Sequence, residues 1–358
     1  MSNRLLAPAS YVQGRDVLSA PQSFRTLSAE TAVILGGTTA LESASEALVS
    51  SLEAVGITVA AIESGVDRCT HAVIDELAEQ AESVGADLIV GVGGGVALDT
   101  SKAVAEKIGA TLATVPTIAS TDAPCSSVAV VYEESGDFAG YVHRDTDPDL
   151  VVVDTAIIAD APTRFLQYGM GDAFATRFEA EAVERSRART HAGGRPTGAA
   201  VTLAQTTFEN LANNGELALA SSERNAVTPA FESIVETNTL LSGMGFESGG
   251  LAAAHAFGKG FSTAGTDAPH GLLIAFSTIA QLVLENREPG VITEALDLYH
   301  TLGLDRRLAD FDVDDELVEL VAEYACKDNT TMSNEPVDVD PADAAAALRT
   351  ADERIARY

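Results

Sequence analysis

The sequence predicts an N-terminal α/β domain with a doubly wound parallel sheet, followed by an all-α C-terminal domain. Short apolar runs alternate with helical patterns through residues 31–160, and strands separated by helices indicate a parallel sheet. After Pro162 almost every segment has helical periodicity. A chain of 358 residues is long enough for two domains, and we place them at residues 1–161 and 162–358.

Glycines and prolines bound the predicted elements. Strands are expected at 31–37, 57–63, 86–95, 110–117 and 149–160, the last with its exit, and a hairpin at 126–143 with its turn near Ser135 and Gly136. Helices between them are expected at 41–56, 67–85 and 96–109. The second half predicts helices at 169–186, 197–220, 230–246, 249–261, 270–287 and 341–358, with a loop at 186–196.

Acidic residues outnumber basic ones, with 53 Asp and Glu against 22 Lys and Arg, and the formal charge is −31. The carboxylates are spread along the chain, which favours a solvated acidic surface, typical of a halophile, over one acidic face for a basic partner. This charge argues against nucleic-acid binding. No apolar run is long enough to span a bilayer, so we expect a cytoplasmic protein without a membrane partner. The three scattered cysteines indicate neither a disulfide framework nor a metal knuckle.

One stretch combines a strand, a glycine turn and a helix start. The apolar run 88–90 leads into Gly93, Gly94 and Gly95, and a helical pattern follows from Val96. Glycines allow close backbone approach, and a helix N-terminus favours an anion such as the pyrophosphate of a dinucleotide. Val96 stands where a strict GxGxxG motif has its last glycine, so a tight turn that binds nothing remains an alternative.

Three polar residues of the helical half are candidate metal ligands. Asp172 lies at an expected helix start, His255 lies among small and apolar residues, and His270 lies beside another helix start. Taken singly, the Asp is most often a helix cap and each His a satisfied core group. One carboxylate and two neutral imidazoles together leave a divalent metal an open position for a substrate oxygen.

Residues 115–132 contain many Ser and Thr residues and one carboxylate, Asp122. They follow a predicted strand, so their small hydroxyl side chains would line the crevice at the strand ends, where open α/β sheets bind ligands. A surface loop that binds no ligand would have a similar composition, so this alternative stays open.

The chain closely resembles the glycerol dehydrogenase branch of the metal-dependent (group III, iron-containing) alcohol dehydrogenase family. The resemblance is carried by GVGGGVALDTSKAVA, VPTIASTDAPCSSVAVVY, GMGDAFATRFEAEA and ESGGLAAAHAFGKGF followed by PHG, between residues 85 and 271. It implies a dehydroquinate synthase-like architecture, with a dinucleotide-binding domain at 1–161, a helical metal- and substrate-binding domain at 162–358, and a cleft for NAD and zinc. It also implies a homo-oligomer built from dimers.

The resemblance assigns roles to individual residues. It implies that zinc and the substrate meet at Asp172, His255 and His270, and that Asp122 contacts the substrate as a catalytic group. The residues that it places along the cofactor are Gly93, Gly94 and Gly95 at the pyrophosphate, and Thr117, Ser126, Val128, Val130 and Tyr132.

Three positions depart from that family or from its iron enzymes. Gly37 stands where the first strand often ends in an acidic residue that binds the adenosine ribose, so use of NADP is not excluded. Gly258 stands where a second His commonly follows His255, so a proton relay here needs another group such as water. Thr176 stands where the iron enzymes have a fourth metal ligand, which agrees with a three-ligand zinc site.

The resulting hypothesis is a zinc-dependent oxidoreductase that transfers a hydride between glycerol, or a similar vicinal diol, and NAD. One alternative is a polyol, hydroxyketone or glycerol-phosphate dehydrogenase on the same scaffold. A phosphate-bearing substrate would need a basic pocket, for which Lys259 and Arg177 are candidates. Another alternative is a non-catalytic dinucleotide-binding redox sensor, which would have no need of metal ligands.

The excess of acidic residues predicts that the fold depends on salt. Self-repulsion is screened over about 10 Å at 0.1 M salt but over only about 3 Å at 1 M. We expect the melting temperature and the activity to rise steeply between these KCl concentrations. Equal stability and full activity in dilute buffer, measured by thermal melting and initial rates, would contradict this reading of the charge.

Overall fold

A six-stranded parallel sheet organises the first half of the chain. The computed structural model describes residues 2–136, 138–328 and 330–358. The strand order is β1-β8-β5-β4-β2-β3, and every neighbouring pair is parallel. The strands are β1 (Tyr11–Gly14), β2 (Thr31–Gly36), β3 (Thr58–Ser64), β4 (Leu88–Gly93), β5 (Thr111–Pro116) and β8 (Leu150–Asp154). The antiparallel hairpin of β6 (Val128–Tyr132) and β7 (Phe138–His143) stands apart from this sheet.

Helices connect these strands and form the rest of the chain. The first half has α1 (Thr38–Ala54), α2 (His71–Ser83), α3 (Gly95–Ile108) and α4 (Thr155–Asp160). The second half has α5 (Thr163–Ser186), α6 (Gly198–Ser222), α7 (Pro229–Glu236), α8 (Ser242–Met244), α9 (Ala253–Thr263), α10 (His270–Leu284), α11 (Pro289–Thr301), α12 (Asp315–Ala325) and α13 (Pro341–Arg357). Two π-helical turns, Thr237–Leu241 and Gly245–Gly249, flank α8.

This architecture confirms the predicted fold class of a parallel α/β sheet followed by a helical region. Within the described residues, the strands end at Asp154 and the long helices begin at Thr163. The division into domains at 161/162 stays a prediction. Among the described residues, no helix combines the length and the apolar character needed to cross a bilayer.

Several local predictions differ from the structure. Strand β1 was not expected, because its four residues pair only with β8 at the sheet edge and carry no clear alternation of their own. The helix expected from residue 67 begins at His71, since Thr70 caps it by accepting a hydrogen bond from the N–H of Val73. The predicted hairpin is present, and Gly136 has a φ of 93° in the turn.

Glycines allow helix α5 to come unusually close to its neighbours. A Cβ atom at Gly171 would lie 2.3 Å from the carbonyl oxygen of Gly271 in α10, and one at Gly271 would lie 1.8 Å from that of Tyr168. A Cβ atom at Gly169 would lie 2.0 Å from the carbonyl oxygen of Ala119, in the loop that follows β5. The helix therefore contacts both halves of the molecule where a larger side chain would force them apart.

A buried cation attaches the hairpin to α3. The ammonium group of Lys102, which is fully buried, donates to Asp99 Oδ1 at 3.0 Å, Ser126 Oγ at 3.1 Å and the carbonyl oxygen of Val128 at 2.7 Å. Asp99 Oδ2 in turn accepts the N–H of Val130 at 3.2 Å. All three ammonium donors are used, so the pair is satisfied despite its burial.

Two buried carboxyl groups, those of Asp147 and Glu247, lie where the first half of the chain meets the helical half. Asp147, between β7 and β8, is 3 % exposed, and Glu247 of the second π-helical turn is fully buried. Glu247 Oε1 accepts the N–H of Ser127 at 3.1 Å. Burial, and then the negative charge of Glu247, raise the pKa of Asp147 to about 9.

This raised pKa predicts a loss of stability at alkaline pH. A carboxyl whose pKa rises on folding binds its proton more tightly in the folded state, so its contribution falls as pH rises from about 4 to about 9. Asp147→Asn should flatten this pH dependence, and at pH 9 its free energy of unfolding should be at least about 1 kcal/mol higher than that of the parent. Thermal melting in constant salt tests this, with Asn at the exposed Asp160 as control. Parallel pH curves for parent and Asp147→Asn would refute it.

Candidate active site

Three helices of the second half bring the candidate metal ligands together. Nε2 of His255, in α9, and Nε2 of His270, at the start of α10, each lie 3.5 Å from Oδ1 of Asp172 in α5. The three ligand atoms lie within 4.8 Å of one another. The two imidazole rings have centroids 5.6 Å apart and are inclined by 58°, so both present a nitrogen to the same small space.

The position of Asp172 corrects one expectation. The sequence suggested a helix start, where an aspartate would be a cap, but α5 begins at Thr163 and Asp172 lies in its interior, 2 % exposed. The prediction was wrong because the glycines at 169 and 171 look like a helix boundary, whereas they serve the close helix contacts described above. An interior carboxylate cannot act as an N-cap, so the capping alternative no longer applies.

A carboxylate that the sequence reading missed holds His255. Glu179 is fully buried, and its Oε2 lies 2.6 Å from Nδ1 of His255. Its Oε1 accepts the backbone N–H groups of Ala252 at 2.8 Å and His255 at 3.0 Å. An ionised Glu179 can only accept, so Nδ1 of His255 donates to it and Nε2 is the nitrogen left to face Asp172 and, once deprotonated, to bind a metal, as around many metal-bound histidines. Glu179 follows Asp172 by seven residues on the same helix face, and this spacing was a detectable signal.

The charges of the cluster shift two pKa values in opposite directions. Burial opposes the protonated form of His255, but Glu179 and Asp172 outweigh burial and raise the pKa of the imidazole well above its ordinary value. Burial also opposes ionisation of Asp172, yet His270 and His255 lower the pKa of this carboxyl below its ordinary value. The imidazole rings and the Asp172 carboxylate thus stabilise each other's charged forms, and a bound cation would replace the imidazole protons as the positive charge beside Asp172.

The donor set fits a divalent cation. Oδ1 of Asp172 is buried and has no hydrogen-bond partner among the described residues, which is costly unless another group satisfies it. Tetrahedral coordination with bonds of about 2.0–2.1 Å separates ligand atoms by about 3.4 Å, close to the 3.5 Å observed from this oxygen to each imidazole. Two imidazoles and one carboxylate suit zinc or iron better than magnesium or calcium.

The two histidines of the ligand cluster border a cavity of about 260 Å³ between the hairpin and the helical half, whereas Asp172 lies behind them and does not line it. Of the residues predicted from the sequence, those that line it are Asp122, Ser126, Val128, Val130, Tyr132, His255 and His270. Val128, Val130 and Tyr132 alternate along β6 and so face the same side of the hairpin. The hairpin and the ligand cluster therefore form opposite walls of one space.

The carboxyl group of Asp122 is oriented by two hydroxyl groups. Oγ of Ser242, in α8, donates to Oδ2 of Asp122 at 3.1 Å and lies 3.0 Å from Oγ1 of Thr176. Burial, and then the negative charge of Asp172, raise the pKa of Asp122 well above its ordinary value. Thr176, which stands where the related iron enzymes are expected to have a ligand, thus contributes to the support of Asp122. The role of Ser242 could not be found in the sequence.

The glycine turn lies at the carboxyl end of β4, as predicted. Gly93 has a φ of 142°, Gly94 is the N-cap of α3 without a side-chain cap, and Gly95 begins the helix. The N–H of Thr117 donates to the carbonyl oxygen of Gly93 at 3.2 Å, which places the loop that leads to Asp122 beside the turn. The free N–H groups of a first helical turn can bind an anion.

Gly37 and Gly258, the two glycines that differ from the residues expected in the related family, have different surroundings. A Cβ atom at Gly37 would meet no atom within 4 Å, so this position has open space in place of an acidic side chain. A Cβ atom at Gly258 would lie 2.4 Å from Cδ1 of Ile274, and Gly258 lines the cavity. Lys259 beside it also lines the cavity and places its ammonium nitrogen 3.9 Å from the centre of the Phe138 ring. Arg177 lies elsewhere, paired with Glu181.

Known proteins share this whole architecture. A family model described as iron-containing alcohol dehydrogenase matches residues 8–155. The chain is 42% identical over 363 residues to a glycerol dehydrogenase of Escherichia coli, covering 100% of this chain and 99% of that one. It is 41% identical over 362 residues to a glycolaldehyde reductase of Halobacterium salinarum, covering 99% and 98%. The crystal structure of a probable glycerol dehydrogenase from Sinorhizobium meliloti 1021 superposes with a TM-score of 0.93 at 33% identity, covering 100% of both chains.

Fold and site together define an oxidoreductase scaffold of the dehydroquinate synthase-like type, in which a parallel-sheet half and a helical half enclose a cavity with clustered metal-type ligands. The relatives that are more than 40% identical over the full chain show the family to which it belongs. The chain belongs to the iron-containing alcohol dehydrogenase family.

Loss of one ligand should remove the metal without unfolding the protein. The His270 side chain is 48% exposed, and Asp172 is its ion-pair partner, so His270→Ala should leave the fold intact. We expect bound metal and turnover to fall at least about 100-fold. A catalytic metal site with an open position has only three protein ligands, and this variant would leave two. Metal analysis of purified protein measures this, with His300→Ala, 72% exposed on α11, as control. Full metal content in His270→Ala would overturn the ligand assignment.

Proposed function

We propose that this protein is a zinc-dependent glycerol dehydrogenase that transfers a hydride between glycerol, or a similar vicinal diol, and NAD, with dihydroxyacetone as the oxidised product. The observation that carries this proposal is the Asp172 oxygen, which has no hydrogen-bond partner among the described residues and lies between two imidazoles that line a cavity together with Asp122. The names of the full-length relatives support the substrate class. Zinc is favoured over iron because Thr176 provides no fourth metal ligand and is engaged with Ser242.

The ligands Asp172, His255 and His270 would hold the metal, which when bound supplies positive charge that lowers the pKa of a substrate hydroxyl, while bound NAD accepts the hydride. Glu179 keeps His255 in the tautomer whose Nε2 is free. The helix end at Gly94 and Gly95 would bind the cofactor pyrophosphate.

Asp122 would orient the substrate. Its Oδ2 is held by Ser242, so the carboxyl group has a fixed direction at the cavity wall. A carboxyl group in this position can hydrogen-bond a substrate hydroxyl and align the carbinol carbon for hydride loss. The hydroxyl proton would leave through water, because Gly258 offers no side chain to carry it and lines the cavity directly.

A second candidate is the reduction of a shorter hydroxyaldehyde at the same site. The glycolaldehyde reductase of Halobacterium salinarum is as similar to this chain as the glycerol dehydrogenases are. Glycolaldehyde also carries two neighbouring oxygens, and it needs less room than glycerol in a cavity of about 260 Å³. The two candidates share metal, cofactor and residues and differ in the preferred substrate and direction.

Initial rates at the absorbance band of the reduced nicotinamide separate these possibilities. Glycerol, ethylene glycol, dihydroxyacetone and glycolaldehyde would each be assayed in concentrated KCl with NAD or NADP in the appropriate redox state. The same assays would follow chelation and return of zinc or iron. We expect zinc-restored turnover of glycerol with NAD to have the highest kcat/KM. Higher kcat/KM for glycolaldehyde reduction would establish the second candidate.

A variant separates catalysis from folding in these assays. Asp122→Asn keeps the shape of the side chain and should lower kcat/KM about 100-fold or more while metal content is unchanged, because an amide group replaces a carboxyl oxygen that orients the substrate hydroxyl. Asp160→Asn is the matched surface control. Absence of turnover in parent protein that holds zinc and binds NAD would refute the proposed activity.

A further inference from the structure

A second cavity, of about 360 Å³, lies beside the active site. We call it the basic cavity, because its lining contains Arg4, His143, Arg144, Arg189 and His191. One carboxylate, that of Asp145, also lines it. They come from the N-terminal segment, the end of β7 and its following loop, and the loop between α5 and α6. Its volume falls in the range of about 300–1,000 Å³ that is usual for small-molecule sites.

The charge of this cavity is opposite to that of the chain. The protein carries 53 acidic against 22 basic residues, yet three arginines meet here with a single carboxylate, Asp145, in the wall. Within the described residues, the ion pair recorded for these arginines is a long one, 3.9 Å from Arg144 to Glu106. The charges of Glu106 and Asp149 act on Arg144, but neither carboxylate lines the cavity, so the wall itself carries more positive than negative charge.

Arg144 is the central observation. Its side chain is only 8% exposed, and its buried Nε has no hydrogen-bond partner in the described part of the chain. A guanidinium group with a buried, unpaired N–H is costly, because water no longer solvates it and nothing replaces that water. Burial accordingly lowers the pKa of Arg144. Arg144 lines the cavity, so an anion there would give its guanidinium group a nearer partner than the carboxylate of Glu106 at 3.9 Å.

The other two arginines are held in place by main-chain carbonyl groups. Nη2 of Arg4 donates to the carbonyl oxygen of Asp145 at 3.3 Å, and Nη2 of Arg189 donates to that of Gly193 at 3.0 Å. The loop itself packs tightly on the N-terminal segment, since a Cβ atom at Gly194 would lie 2.8 Å from the backbone nitrogen of Arg4. Main-chain contacts thus hold the loop against the N-terminal segment, while the side chains of Arg4 and Arg189 remain exposed at the rim.

One imidazole separates this cavity from the active site. His191 lines both cavities. Its ring stacks on that of His143, with centroids 5.6 Å apart and planes inclined by 23°, and meets the edge of Tyr141 at 5.5 Å. The two spaces are therefore neighbours with separate sets of polar groups: carboxylates and metal-type ligands in one, guanidinium groups in the other.

We propose that the basic cavity binds a small phosphate-bearing anion, at a site separate from the substrate site. A phosphate group carries up to two negative charges and several acceptor oxygens, and planar guanidinium groups bind it through paired N–H donors. The cavity volume leaves room for a small organic group attached to the phosphate. This inference does not depend on the proposed dehydrogenase activity.

Isothermal titration calorimetry on the full chain, in KCl of constant high concentration, tests the proposal. The probes are inorganic phosphate and glycerol phosphate, which distinguish a free anion from an ester, with additional chloride as the control for ionic strength. We expect saturable binding of phosphate or its ester that chloride at matched ionic strength does not produce. A tighter ester would identify the organic group as part of the ligand.

Variants locate the binding. Arg189→Gln and Arg4→Gln change residues at the rim and should each weaken phosphate binding about tenfold, since each removes a charged hydrogen-bond donor. Arg224→Gln, at an exposed position in the turn that follows α6 and outside the lining of the basic cavity, should leave it unchanged. Arg144→Gln should abolish it, and its melting temperature reports whether the buried substitution has unfolded the protein.

Three results would overturn the proposal. The first is no heat with either probe. The second is equal binding by Arg189→Gln, Arg4→Gln and the Arg224→Gln control, which would indicate an adventitious surface interaction. The third is displacement of bound phosphate by glycerol or by an added active-site metal, which would place the phosphate in the catalytic cavity.

Discussion

The close approach of helix α5 to its neighbours is the constraint on which the site depends. Without side chains at Gly169 and Gly171, the helix lies against the loop after β5 on one side and against α10 on the other. Gly171 and Gly271 directly adjoin Asp172 and His270, so this contact sets the distance between the two ligands. A single added methyl group would force main chains apart, because packed interiors have no space to absorb it.

Buried carboxylates perform two different tasks around this contact. Glu179 is fully satisfied by two backbone N–H groups and by His255, and it acts as a rigid support. Asp172 has one buried oxygen without a hydrogen-bond partner among the described residues, and the nearby imidazoles hold that carboxyl in its charged form. The contrast between a satisfied and an unsatisfied carboxylate on one helix face distinguishes the group that positions from the group that would bind.

The charge distribution divides the molecule into regions with different chemistry. The surface is acidic overall, the ligand cluster presents a carboxylate between imidazoles, and the basic cavity gathers arginines from three distant segments. Lys102, buried at the base of the hairpin, is neutralised by Asp99 and so serves packing rather than binding. Net charge alone would have given no indication of these local reversals, because local fields depend on burial and spacing.

The sequence by itself predicted the alternation of strands and helices in the first half, the helical character of the second half, the glycine turn before α3 and the grouping of Asp172, His255 and His270. These follow from local periodicity, from turn chemistry and from recognisable strings. Only the tertiary structure decided that Asp172 lies inside a helix, that Glu179 and Ser242 support the site, and that β1 completes the sheet edge. The same is true of Arg4, Arg144 and Arg189, which share one cavity although 185 positions separate the first from the last. Hydrogen bonds and cavities between segments far apart in the chain depend on how the helices cross, and that crossing is set by packing that no local pattern records.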